Sequence, residues 1–222
     1  MREHESISSL KLFNGCPRCY WLKYVAGLEK ESSPAQLLGS EVHKGIEFYH
    51  TSGKEPLELN LTPLAGKLVG VYMENVPASM CNVVETKFLI PFENIITGEV
   101  LPMKFKGIID GVNEVIEWLF EHKTSKNYWK CDDIATNIQA TGYAYAYFYL
   151  YGKLPKGIRF NILKKNKITM KYQPLETYRT LEDLVYFFNW AKKTVDEIAT
   201  SEFEPRLTRF NNHHPACPYA GG

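Results

Sequence analysis

The chain has 222 residues, enough for one domain with a substantial core, and its composition is that of an ordinary folded protein. Lys plus Arg (26) nearly equals Asp plus Glu (25), a net charge of +1, so any grip on a polyanion has to come from local clusters rather than from the whole surface. No apolar run reaches the length of a membrane span, and five cysteines, spread thinly apart from Cys16-Pro-Arg-Cys19, suit a reducing compartment; a cytoplasmic protein is expected.

Ser6 to about Tyr24 reads as a short helical lead-in, with Leu10, Phe13 and Trp21 as apolar contacts. Ser32, Ser33 and Pro34 form a linker. From Ala35 to about Tyr49, Leu38, Val42, Gly45 and Tyr49 recur at helical spacing and predict an amphipathic helix that carries His43 one turn after Gly39. Thr51 to Met80 is interrupted by Gly53, Pro56, Pro63, Gly66 and Pro77, and reads as loop around one helix near Leu64 to Glu74. Three strands are predicted next, Val83 to Ile90, Lys104 to Val112 and Val115 to Lys123, the last two joined at Asn113-Glu114 as a hairpin. Asp132 to Tyr151 predicts one long helix with a stripe of Ile134, Ile138, Thr141, Tyr145 and Phe148, and with Gln139 and Tyr143 on another face. Gly157 to Leu163 and Ile168 to Tyr172 predict a second hairpin turning at Lys164-Lys165-Asn166-Lys167, and Thr180-Leu-Glu-Asp183 resembles a capping box opening a helix to about Thr200. Helix, strands, helix, strands, helix in this order implies an α/β sandwich around a mixed sheet, as a single domain of residues 1–222 in which the helical start (about 1–50) and the C-terminal helix and tail (about 180–222) pack on the core.

The chemistry concentrates in Gly107-Ile-Ile-Asp110-Gly and Glu121-His-Lys123. Side chains alternate along a strand, so Lys104, Lys106, Ile108 and Asp110 share one face, as do Glu117, Leu119, Glu121 and Lys123 on the next strand. The opposite faces, with Phe105 and Ile109 on one strand and Ile116, Trp118 and Phe120 on the other, are expected to pack into the core. Two carboxylates meeting on one side of a hairpin can hold a hard cation, and a lysine two residues after the second reaches the same point. Such a cation activates water and neutralises charge on a phosphate, while the ammonium stabilises the transition state. An acid and a lysine two apart on a strand usually form a solvated pair, but here large apolar residues flank both acids, where an unpartnered charge is costly.

Leu38-Gly-Ser-Glu-Val-His43, Gly107-Ile-Ile-Asp110, Glu121-x-Lys123 and Gln139-Ala-Thr-Gly-Tyr143 stand in the order of the RecB-like branch of the PD-(D/E)XK nucleases, which includes CRISPR-associated exonucleases and helicase-nuclease subunits; the chain resembles that branch from about Ile7 to Cys217. The resemblance implies a restriction-endonuclease-like fold, and that His43, Asp110 and Glu121, with the backbone carbonyl of His122, ligate Mg2+ or Mn2+, a histidine suiting manganese somewhat better than oxygen alone. It makes Lys123 the catalytic lysine, with Gln139 and Tyr143 orienting the lysine, the water or the DNA backbone. His122 replaces an apolar residue and is expected to pack on the opposite face without a catalytic role. Glu85 either supports the site from the neighbouring strand or is an edge-strand acid. Lys104 and Lys106 are candidate DNA contacts; so are Lys126 and Trp129, since cations interleaved with aromatics suit a single strand, although a solvated loop with a packed Trp is an equal reading.

Many RecB-like nucleases join one N-terminal and three C-terminal cysteines through an iron–sulfur cluster. Cys16 stands at the first position and Cys217 within the C-terminal group, but His214 occupies another of its positions and the chain stops at Gly222 about where the last thiolate would follow. No complete cluster is expected, and Cys16, Cys19, His214 and Cys217 are left as candidate ligands of zinc or a labile cluster. The function expected is DNA hydrolysis, end-dependent, on single-stranded or processed ends in recombination, repair, phage or CRISPR-related processing. A DNA-binding assembly module and a structure-specific endonuclease are the alternatives. No phosphate-binding loop for ATP occurs, so unwinding would need a helicase or recombination partner.

Overall fold

Proline and serine punctuation starts three of the helices. In the computed structural model, which describes residues 2–29, 31–165 and 169–204, Ser33 caps α3 (Pro34–Ser52) in a capping box with Gln36, and Pro34 occupies the first turn, where its missing N–H costs nothing. Pro63 plays the same part in α4 (Pro63–Asn75). Pro17 divides the predicted N-terminal helix in two, α1 (Ile7–Gly15) and α2 (Pro17–Tyr24), because Cys16 before it is extended. The strands are β1 (His4–Glu5), β2 (Val83–Glu93), β3 (Val100–Asn113), β4 (Trp118–Ser125), β5 (Gly157–Lys164) and β6 (Lys171–Thr177). They form a mixed sheet in the order β1-β3-β4-β5-β6, with β2 also paired to β3. No described helix is long and apolar enough to cross a membrane.

Contacts divide the chain into two units, and β2 and β3 pass through both. The first comprises residues 1–31, 89–107 and 182–222. In it β1 runs parallel to the start of β3, His4 opposite Lys104, and Phe92, Phe105 and Phe187 of α7 (Leu181–Thr200) form a ring cluster with centroids 4.8 to 5.6 Å apart. Buried Glu5 accepts from the Tyr20 hydroxyl at 2.5 Å and from Arg2 at 2.9 Å, which pays for its desolvation.

The second unit, residues 32–88 and 108–181, holds the functional candidates. The end of β3 is antiparallel to β4 (Gly111 opposite Phe120), β4 is parallel to β5 (Glu121 opposite Phe160), and β5 is antiparallel to β6. The parallel step is bridged by α5 (Cys131–Ala135) and α6 (Ile138–Tyr151). One helical stretch was expected there; two form because the Asn137 side chain caps α6, accepting from the N–H groups of Gln139 and Ala140. On one side of the sheet α3 and α4 pack Val42, Ile46, Leu68, Val69 and Tyr72 around Leu163 of β5. They cross closely at Gly45, where a Cβ would lie 2.7 Å from Val69 Cγ2. Glu121 and Lys123 turn to the other side and meet α6, whereas His122 between them meets Tyr72 of α4.

Two further expectations are corrected. Ile116, expected in the core, is 44% exposed, because β4 begins only at Trp118 and residues 114–117 form a turn closed by Glu117 at φ 62°. The second hairpin strand is 171–177, five residues later in its end than predicted; of its expected turn, residues 166–168 lie outside the described residues.

Candidate active site

The hairpin register brings Asp110, one step before Gly111, beside Glu121. Apolar neighbours Ile109, Val112, Leu119 and Phe120 are all buried, so the acids are buried with them, Asp110 to 9% and Glu121 to 1% exposure. Each is held differently. Asp110 Oδ2 accepts the backbone N–H of His122 at 2.7 Å. Glu121 Oε1 receives the Lys123 ammonium and, at 2.9 Å, Gln139 Nε2, while its Oε2 is buried without a hydrogen-bond partner.

His43 approaches from α3. Its Nε2 donates to the His122 carbonyl at 3.0 Å, which directs Nδ1 toward Asp110 Oδ1 at 3.6 Å and Glu85 Oε1 at 4.0 Å. The carbonyl expected as a metal ligand is therefore engaged by the imidazole, with its second lone pair remaining. Glu85 turns inward from β2 through a left-handed backbone at φ 49°, a conformation of order 1 kcal/mol or more above the strand minimum for a non-glycine residue, and one that has to be held by its surroundings. A Cβ at Gly39 would come no closer than 3.9 Å to a neighbouring element, at Thr124 Oγ1, so the space beside it is open.

Gln139 is the hub of the far side. Its Oε1 accepts from Lys123 Nζ at 3.1 Å, and its Nε2 reaches both Glu121 and the Tyr143 hydroxyl at 2.9 Å. The start of α6 is fixed by Arg179, a residue the sequence did not single out. Its buried guanidinium donates to Thr141 Oγ1, Thr177 Oγ1 and the carbonyls of Ile134, Asn137 and Tyr178, tying α5 to α6. A lone arginine in a loop gives no sequence signal of such a role.

Burial and the neighbouring Glu121 push the Asp110 carboxyl up to about 7, against the opposing pull of His43 and the His122 N–H. For His43 burial works downward, but Glu85, Asp110 and Glu121 outweigh it and raise the imidazole. Lys123 is likewise opposed by burial and held above the ordinary lysine value by Glu121 and Asp110, so it keeps its proton. Two buried acids that repel each other, an unpartnered carboxylate oxygen and an imidazole whose other nitrogen is fixed by a carbonyl are a donor set that a divalent cation would satisfy. His43, Glu85 and Asp110 each offer an atom within 4.8 Å of the others.

The sequence profile of the PD-(D/E)XK nuclease superfamily matches residues 4–221. The chain belongs to that superfamily. Within the matched stretch, Asp110 stands on β3 and Glu121 and Lys123 on the adjacent antiparallel β4. Among solved structures, one from Eubacterium rectale described as a "putative exonuclease" is 17% identical, with 95% of this chain and 86% of that one covered at a TM-score of 0.62, which supports the fold. SSO0001 is 16% identical over 93% of this chain and 80% of its own, at a TM-score of 0.48. No curated protein matches the chain.

The other candidates of this PD-(D/E)XK chain are spread more widely. Lys104, Lys106 and Lys126 are exposed. Trp129 is partly exposed, with its ring 5.8 Å from that of Phe160 and its indole N–H donating to Ser125 Oγ at 3.3 Å, while exposed Tyr128 lies under the Lys164 ammonium at 3.6 Å. Cys16 and Cys19 are buried, the Cys19 N–H donating to Cys16 Sγ at 3.4 Å, and Cys19 is disulfide-bonded, so its sulfur is not the free thiolate expected of a zinc or cluster ligand; His214 and Cys217 lie outside the described residues.

Proposed function

We propose that the chain is a Mg2+- or Mn2+-dependent deoxyribonuclease that hydrolyses phosphodiester bonds, and that it works from DNA ends. Asp110, Glu121 and His43 through Nδ1 hold the cation, with Glu85 and the His122 carbonyl beside them. When bound, such an ion lowers the pKa of water and screens the phosphate. Lys123, protonated and aimed by Glu121 and Gln139, stabilises charge on the phosphate oxygens, and Tyr143 fixes the Gln139 amide that aims it. The observation that carries the reading is Glu121: one oxygen is saturated by Lys123 and Gln139, and the other is buried and bare, an arrangement that costs free energy unless something positive completes it.

Lys104, Lys106 and Lys126 are proposed backbone contacts, with Trp129 as a wall for a strand. The preference for ends rests on the RecB-like order of motifs, in keeping with the description of the Eubacterium rectale protein. The test is incubation with end-labelled linear single- and double-stranded DNA and a covalently closed circle, in Mg2+ and in Mn2+, with Asp110→Asn as the control for contaminants. Degraded linear DNA beside an intact circle is expected. A nicked circle would make the enzyme an endonuclease, and binding without cleavage would make it an assembly module.

A further inference from the structure

Behind β4, on the side away from Glu121 and Lys123, lies a second group of ligating side chains. His50 on the last turns of α3, Cys81 just before β2 and His122 in β4 each offer one atom, two ring nitrogens and a thiol sulfur, within 4.8 Å of one another. All three belong to the second unit. Cys81 is buried directly against the backbone of Gly111, where a Cβ would come within 2.6 Å of its sulfur.

Both rings are held from outside by Nδ1. His50 Nδ1 lies 2.7 Å from the Ala78 carbonyl, and since a carbonyl only accepts, Nδ1 carries the proton and Nε2 keeps a lone pair, which now receives the Tyr72 hydroxyl at 2.7 Å. His122 Nδ1 faces the Asn161 side-chain amide at 3.2 Å, and that amide is engaged in turn by the Tyr172 hydroxyl at 2.7 Å. In the structure Asn161 Nδ2 faces His122 Nδ1 and Asn161 Oδ1 accepts from the Tyr172 hydroxyl. Turning the amide over keeps both contacts, with His122 Nδ1 donating to Oδ1 and the NH2 donating to the Tyr172 oxygen, and Nε2 of His122 then presents a lone pair. That Nε2 has no hydrogen-bond partner, in a side chain only 2% exposed. A buried imidazole nitrogen left without a partner costs folding free energy, and nothing in the nuclease chemistry on the front of the sheet employs it.

The geometry points to a metal site formed by His50 Nε2, His122 Nε2 and Cys81 Sγ, with the Tyr72 hydroxyl in the fourth position, that takes a zinc-class ion. Two imidazoles whose far nitrogens are oriented by a carbonyl and a side-chain amide, together with one thiolate, are nitrogen and sulfur donors suited to that class and unsuited to Mg2+. Binding releases the Cys81 proton to solvent and ties the end of α3, the approach to β2 and the centre of β4 together. The strand that presents Glu121 and Lys123 at the front is thus pinned from behind.

Cobalt(II) tests this, because thiolate ligation gives a near-ultraviolet charge-transfer band that an oxygen and imidazole site cannot give. Titrated into the full chain with excess Mg2+ to occupy the front site, Co2+ should give that band and tetrahedral visible absorption at one equivalent. The charge-transfer band should be lost in Cys81→Ser, and one equivalent of Zn2+ should raise the unfolding temperature of the wild type but not of His50→Gln. His50 is partly exposed near a helix end, so its variant remains informative if the buried Cys81→Ser chain fails to fold. Absence of the band from the wild type, its persistence in folded Cys81→Ser, which would place it on other thiolates, or an equal Zn2+ response in His50→Gln would each overturn the site.

Discussion

Asp110→Asn should stabilise the metal-free protein while abolishing cleavage. The amide keeps an oxygen to accept the His122 N–H and removes only the charge. Burial and Glu121 hold the Asp110 carboxyl at about 7 instead of its ordinary 3.8; at about 1.36 kcal/mol per tenfold, its ionisation at alkaline pH opposes folding by about 4 kcal/mol. Part of this is returned, because His43 is raised by Glu85, Asp110 and Glu121 and loses one of these acids in the variant. The net gain is smaller than that figure, and each kcal/mol of it raises the unfolding temperature by about 2–4 °C in a chain of this size. The sign follows from an acid whose folded value is raised: wild-type stability is intact below about pH 4 and declines as pH rises through about 7, and the variant lacks that decline. Thermal unfolding in EDTA at about pH 8 and at about pH 5 should therefore show a gap that shrinks at the lower pH. In saturating Mn2+ the order should reverse, since only the wild type gains from binding. A variant no more stable than wild type in EDTA at pH 8 would refute the account of Asp110 as a strained, cation-awaiting acid.

Lys123→Met should lower cleavage by about 100-fold or more, the usual cost of an electrostatic donor, while calorimetry still detects Mn2+ binding; lost binding would make the lysine structural. Gly157→Ala places a Cβ 2.6 Å from the Trp118 ring, and urea denaturation should register about 1–3 kcal/mol of destabilisation with the DNA-cleaving activity per folded molecule unchanged. Replacing Lys104 and Lys106 by Ala should weaken DNA binding and flatten its salt dependence, by about 0.7–0.9 in log–log slope for each lost phosphate contact; an unaltered slope would place them away from the substrate.

The front of the site was legible because a strand repeats every two residues. Alternation alone put Asp110, Glu121 and Lys123 on common faces and sent His122 behind, and the order of motifs added His43, Gln139 and Tyr143. What alternation cannot supply is how segments distant in sequence converge. The inward turn of Glu85 depends on a left-handed backbone in β2, the break between α5 and α6 on the Asn137 cap and on Arg179 some forty residues later, and the parallel step from β4 to β5 on the crossover between them. His50, Cys81 and His122 stand about thirty to forty residues apart in three unrelated patterns, one in a helix, one in a loop and one in a strand. Local periodicity determined which side of each element every residue occupies; only the tertiary packing decided which of those sides face one another, because that choice is made by burial and register over long separations that no short window of sequence contains.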